Sequence, residues 1–299
     1  EAFYSLGELS PEQAGALVLA VGPLFNYNDT LKDVCWLATR KAAFSRDSHC
    51  RQSAVAALTS LLHHQLQMYT SRNNDLVTNS FSQLDNNSSS EISATISEAI
   101  ALLRRSMQQQ SSVRKIVYAR IYSIQQEHMF IRVPILSLLI EHLRSLILDV
   151  TDGITEDENI SLNRGYRKIN DECFVKLSIS ACDTGNGIEP LQSLLCGIVI
   201  IGKHILIECN RFTESDRINA VMACQLVWDI AHSFVTMHEV ALGLDENNED
   251  LDENKLTPNQ VNQIQILQRA SNACIIAVSA LPKSLGIGYT LTDELRMKM

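Results

Sequence analysis

Helix breakers are scarce in this chain, with 12 glycines and 6 prolines among 299 residues, and aromatics make up only 6%. A β-protein rich in tight turns needs more of these. With abundant Leu, Ile and Ala, the composition favours helices. At 45% hydrophobic and 20% charged, it is the composition of a globular protein, not of a disordered or fibrous one. No apolar stretch reaches the ~18 residues that a membrane-spanning helix requires. The longest, Ile198 to Ile207, is broken by Gly202, Lys203 and His204. The first residues, Glu1-Ala-Phe-Tyr, show no initiator Met, basic n-region or apolar h-region, and read as a cut inside a longer chain.

Paired cysteine motifs are also missing. The eight cysteines stand at 35, 50, 173, 182, 196, 209, 224 and 274, mostly inside apolar helical runs, and no CxxC occurs. Such spacing does not make a disulfide framework. It suits buried, reduced thiols in a cytosolic or nuclear protein. Zinc sites are built from close Cys/His pairs. His49-Cys50 and His63-His64 are the only dense spots, so no metal is expected. No serine lies in G-x-S-x-G. Gly185-Asn-Gly187 lacks the third glycine and the strand–helix setting of a phosphate cradle. Asp229, His232, His238 and Glu239 share a helix, but an isolated i, i+3 pair reads as a polar helix face. Neither an enzyme nor a cofactor is expected.

The formal net charge is −9, which argues against phosphate binding. The imbalance is not uniform. Residues 1–150 hold 13 Lys+Arg and 13 Asp+Glu, whereas residues 151–299 hold 12 against 21. Between Ala99 and Gln126 stand Arg104, Arg105, Arg114, Lys115 and Arg120, with no acid. This run is either a solvated helix face or a basic contact surface.

What is present is helical periodicity. Ser10-Pro11-Glu12 is a helix start, with Ser as cap and Pro in the first turn. That helix stops at Gly22-Pro23. A second is predicted from Asp29 or Thr30 to about Phe44, with Val34, Leu37 and Phe44 inward. A third starts at Asp47 or Ser48, with Val55, Leu58, Leu61, Leu62 and Leu66 on its apolar stripe. Residues 71–90, rich in Asn and Ser, read as a flexible loop. Helices resume at Glu91, Ser111 and Phe130. Alternation over Phe174–Ala181 followed by Asp183–Gly187 predicts at most a short β-hairpin near 173–188. Further helices are expected from Glu189-Pro190, from 214 to 241 and from Pro258 to Ala280, with an acidic loop at 245–253. The expected fold is all-α: a HEAT- or armadillo-like α-solenoid ending at residues 1–70, the loop 71–90, and a helical domain over 91–299.

Val34-Cys-Trp-Leu-Ala-Thr-Arg-Lys41-Ala-Ala-Phe44, followed by Arg51-Gln-Ser-Ala-Val-Ala56, resembles a stretch of the Fanconi anaemia group I family. Collinear similarities follow at Ala101–Arg114 and at Val175-Lys-Leu with Glu189–Cys196. The resemblance implies an internal fragment of a longer nuclear, non-enzymatic scaffold of DNA interstrand crosslink repair. It also implies pairing with the paralogous group D partner to clamp DNA. Lys41 matches the lysine that the Fanconi ubiquitin ligase complex mono-ubiquitinates. Arg104, Arg105 and Arg114 match family positions, and the resemblance implies that they are nucleic-acid contacts. Ser82-Gln83 matches the family's Ser-Gln phosphorylation type, as a single site where the family carries a cluster. The alternative is a generic HEAT-like interaction adaptor with no DNA role.

Overall fold

A computed structural model describes residue 3 and residues 5–74, 86–148, 190–236 and 272–281. Among these residues the protein is helical and has no strand. The expected hairpin, the acidic loop and Ser82 lie outside them. The helices are α1 (Pro11–Val21), α2 (Asp29–Ala43), α3 (Ser48–Asn74), α4 (Asn86–Met107), α5 (Ser111–Glu127), α6 (Arg132–Leu148), α7 (Pro190–Ile207), α8 (Glu214–Thr236) and α9 (272–279). Residues of the expected loop 71–90 belong at both ends to helices, since α3 continues to Asn74 and α4 begins at Asn86. Packing divides the chain into two compact units, Glu1–Leu138 and Leu139–Met299. The division falls inside α6.

Local chemistry sets the boundaries. Ser10 Oγ accepts from the Gln13 amide, and Gln13 Oε1 accepts from the Ser10 amide, a capping box that starts α1 at Pro11. Asn28 Oδ1 caps α2 by accepting from the Leu31 amide at 3.0 Å. Thr213 and Asp216 cap α8 reciprocally.

The first unit is organised around α3, which packs against α1, α2, α4 and α5. Residues 53–62 are buried without interruption, so neighbours surround this stretch of α3. Buried Thr59 is satisfied within the helix, its Oγ1 donating to the Val55 and Ala56 carbonyls, both at 2.9 Å. Gly15 gives α1 room to approach, because a Cβ there would stand 3.2 Å from Ser60 Oγ.

Cross-helix contacts fix the directions. Ser48 meets Ser112 and His63 meets His128, so α3 and α5 run parallel. Ser53 bonds the Leu9 carbonyl and Gly15 faces Ser60, so α1 runs the same way. Trp36 bonds Glu98 and Phe44 meets Arg105, so α2 and α4 are parallel to each other. Cys50 donates to the Ala42 carbonyl across the short α2–α3 connection, where the chain reverses. The helices thus form two rows, α1–α3–α5 and α2–α4, of opposite direction.

In the second unit α7 packs on α8. Leu191, Leu194, Leu195, Ile198, Ile201 and Ile205 of α7 are buried, as are Ala220, Ala223, Val227 and Ile230 of α8. These spacings of three and four residues are those of one helical face.

Candidate functional site

Two places in the first unit bring chemistry-bearing side chains together. One holds Lys41. On α2 the inward positions are Cys35, Thr39, Ala42 and Ala43, small residues that let α2 lie close to its neighbours. Leu37 and Phe44 face outward, at 64% and 53% exposure, and Val34 is half-buried. This corrects the expectation that Val34, Leu37 and Phe44 all point inward. Lys41 is exposed, and shares the open face of α2 with Leu37 and Phe44 rather than emerging from beneath a core edge.

The parallel course of α2 and α4 brings their C-terminal turns to the same end. Arg40 and Lys41 lie in the last turn of α2, and Arg104 and Arg105 in the last turn of α4. Cations there complement the negative ends of both helices. Arg40 pairs with Glu98, whose other oxygen accepts from Trp36 Nε1 at 2.8 Å. Arg105 stacks its guanidinium over the Phe44 ring, 4.0 Å from the centroid. Arg114, at the start of α5, donates to the Gln109 carbonyl and holds the α4–α5 turn. Arg104 is exposed. The three predicted arginines therefore gather at one end, but Arg105 and Arg114 have structural work there. Arg120 is elsewhere, against Gly15 of α1.

The motif around Arg51 has a clear structural reason. Arg51 Nη1 donates to the Ser45 and Arg46 carbonyls, both at 2.9 Å, and Nη2 reaches Gln110. It joins the α2–α3 turn to the α4–α5 turn. Ser53 ties α3 to the Leu9 carbonyl. Periodicity alone gives no sign of either role.

The second place joins α3 to the end of α5. His63 Nδ1 and His128 Nε2 are 3.0 Å apart, and His63 Nε2 lies 2.7 Å from Gln67 Nε2 and 3.7 Å from Glu127 Oε2. His128 is buried, whereas Glu127 is 56% exposed. Burial, then the neighbouring His63, holds the His128 pKa below its ordinary 6.5, with Glu127 opposing. Burial and His63 lower that of His64 as well. An open cleft of about 470 Å³ borders the group, lined by Pro23, Asn26, His64, Gln67, Met68, Thr70, Glu127 and His128. The dense His63-His64 pair was visible in the sequence, but its partners were not. Glu127 and His128 lie more than sixty residues further on, and only the parallel course of α3 and α5 unites them.

Asp229 accepts from Gln225 Nε2 at 2.9 Å. Residues His238 and Glu239, and the side chain of His232, lie outside the described set.

No protein-family model matches the chain, and no curated protein matches it.

Proposed function

We propose that this chain is the acceptor-bearing part of a Fanconi anaemia group I protein. In this reading it is a non-enzymatic nuclear scaffold of interstrand crosslink repair, mono-ubiquitinated on Lys41. It pairs with the group D paralogue to clamp DNA. The observation that carries the reading is the setting of Lys41. A reachable amine sits in the last turn of a helix, beside exposed Leu37 and Phe44 and among arginines from a neighbouring helix. Solvent access is what the thioester-linked ubiquitin needs, and the two apolar side chains suit a protein surface that closes over the attached group. The residues of the Arg51-Gln-Ser53 element tie this region together, which accounts for their presence after the acceptor helix.

The solenoid part of the reading is supported by the two rows of oppositely directed helices. Stacked helical hairpins of a HEAT-like array have this arrangement. The basic end supports the DNA part, although net charge keeps the contribution modest.

The test is mono-ubiquitination of the full-length protein by its cognate ligase complex, with the group D partner and DNA present. Lys41→Arg is expected to abolish the product, and Lys32→Arg to leave it intact. Persistence of the product in Lys41→Arg overturns the reading. Exposed Leu37 and Phe44 equally favour the adaptor alternative, a protein-docking face without a DNA role. Reversal of charge at Arg104, Arg105 and Arg114 separates the two: weaker binding of the full complex to DNA supports the clamp, and unchanged affinity supports the adaptor.

A further inference from the structure

We propose that His63, Glu127 and His128 form a zinc site clamping α3 to the end of α5. The ligand atoms of these three residues all lie within 4.8 Å of one another. Their types are two imidazoles and one carboxylate, a set that takes zinc with a fourth position left for water. Imidazole nitrogen disfavours the hard cations calcium and magnesium, which are held by oxygen.

The geometry needs little movement. His63 Nδ1 and His128 Nε2 stand 3.0 Å apart. Two nitrogens at tetrahedral zinc, with Zn–N of about 2.0 Å, are separated by about 3.3 Å. A widening of a few tenths of an ångström brings the two nitrogens to that spacing, with the ion about 1 Å to one side of the line between them and the hydrogen-bond proton released. The rings meet edge to face, with centroids 4.9 Å apart and planes at 63°, and both turn to aim their nitrogens at one ion. Glu127 precedes His128 directly, and its exposed carboxylate is free of the core and swings in as the third ligand. Glu127 and His128 also line the cleft, which gives water a path to a fourth position.

An outer partner is already in place. When His63 ligates through Nδ1, its Nε2 carries the proton. Gln67, one helical turn further along α3, is 2.7 Å from that nitrogen. Rotation of its amide presents Oε1 as the acceptor, the arrangement that orients metal-bound histidines. The site lies near the middle of α3, fifteen residues and about 22 Å along the helix from Ser48. It therefore stands apart from Lys41, and the inference does not depend on the reading proposed for that residue.

The experiment uses the full chain stripped with EDTA and titrated with zinc chloride in a calorimeter, then with cobalt chloride in a spectrophotometer. Stoichiometric zinc binding is expected, with the intense visible absorption of four-coordinate cobalt. Glu127→Gln, an exposed change that leaves the core intact, is expected to weaken zinc binding at least tenfold. His63→Gln and His128→Gln are expected to abolish the cobalt spectrum, and His49→Ala to leave it unchanged. Circular dichroism of each metal-free variant establishes that it is folded. Absence of stoichiometric binding by the wild type overturns the proposal. So does zinc affinity in folded Glu127→Gln equal to that of the wild type, or a six-coordinate cobalt spectrum.

Discussion

Burial makes the thiols of this protein poor nucleophiles. It pushes the Cys35 thiol up to about 12 against the Thr39 hydrogen bond that favours its thiolate, and Cys224 to about 11. Cys274 rises to about 12, with Cys196 as a second cause. At pH 8 a rise of three units cuts the thiolate fraction about a thousandfold. Native protein treated with a chromogenic disulfide reagent is therefore expected to label Cys50, which is partly exposed, while Cys35, Cys224 and Cys274 react only on unfolding. Peptide mapping after a short pulse checks this; fast labelling of Cys35 in the native state would refute it. The core placement of these cysteines was legible, because each stands within an apolar helical run. The outward turn of Leu37 and Phe44 was not. Apolar residues on α2 outnumber the inward positions, and small Cys35, Thr39 and Ala42, four and three residues apart, fit closer to α3 than large side chains do.

Capping and close approach dominate at the level of helices. Ser10→Ala removes one half of the capping box of α1 and is expected to cost about 1 kcal/mol, measured by urea denaturation. Gly7 lies so close to Cys50 that a Cβ there would collide with its sulfur, while Cys50 Cβ and Cα stand 3.3 and 3.8 Å away. Gly7→Ala is expected to destabilise by about 1–3 kcal/mol, since the backbone turn over Leu6–Glu8 must retreat from α3. Stability equal to wild type in that variant would show that the turn moves freely. The starts of α1 and α7 were readable from a cap and from prolines, and those of α2 and α5 lie where the apolar spacing puts them. The extent of burial on α3 was not. The predicted stripe of Val55, Leu58, Leu61 and Leu62 is buried, but so are Ser53 and Ala54 before it and Ala56, Ala57, Thr59 and Ser60 between its members. Period alone assumes one covered face, whereas four other helices pack against α3.

For the molecule as a whole, pH and salt are the useful probes. Both His64 and His128 have folded pKa values below the ordinary 6.5, so the unfolded chain takes up their protons first. Above pH 6.5 neither contributes; as pH falls through 6.5 toward the lowered values, stability declines. His63 and Glu127 face His128, and the carboxylate softens the effect without reversing it. Thermal melts in EDTA are expected to show a Tm falling as the solution is acidified below that point, with a shallower fall in His128→Gln. With a net charge of −9, the isolated chain is also expected to leave duplex DNA unshifted in a gel at about 0.15 M salt. Tight binding there would mean that the basic end outweighs the acidic remainder. Composition and periodicity by themselves determined the helical character of the described residues, where several helices start, and that the excess negative charge lies beyond residue 150, because these depend on residues near one another in sequence. Only the tertiary structure decided that Lys41 is open to solvent, that Arg104, Arg105 and Arg114 share one end, and that His63 meets Glu127 and His128. Each depends on the direction in which packed helices run, and side-chain contacts across more than fifty residues set that direction.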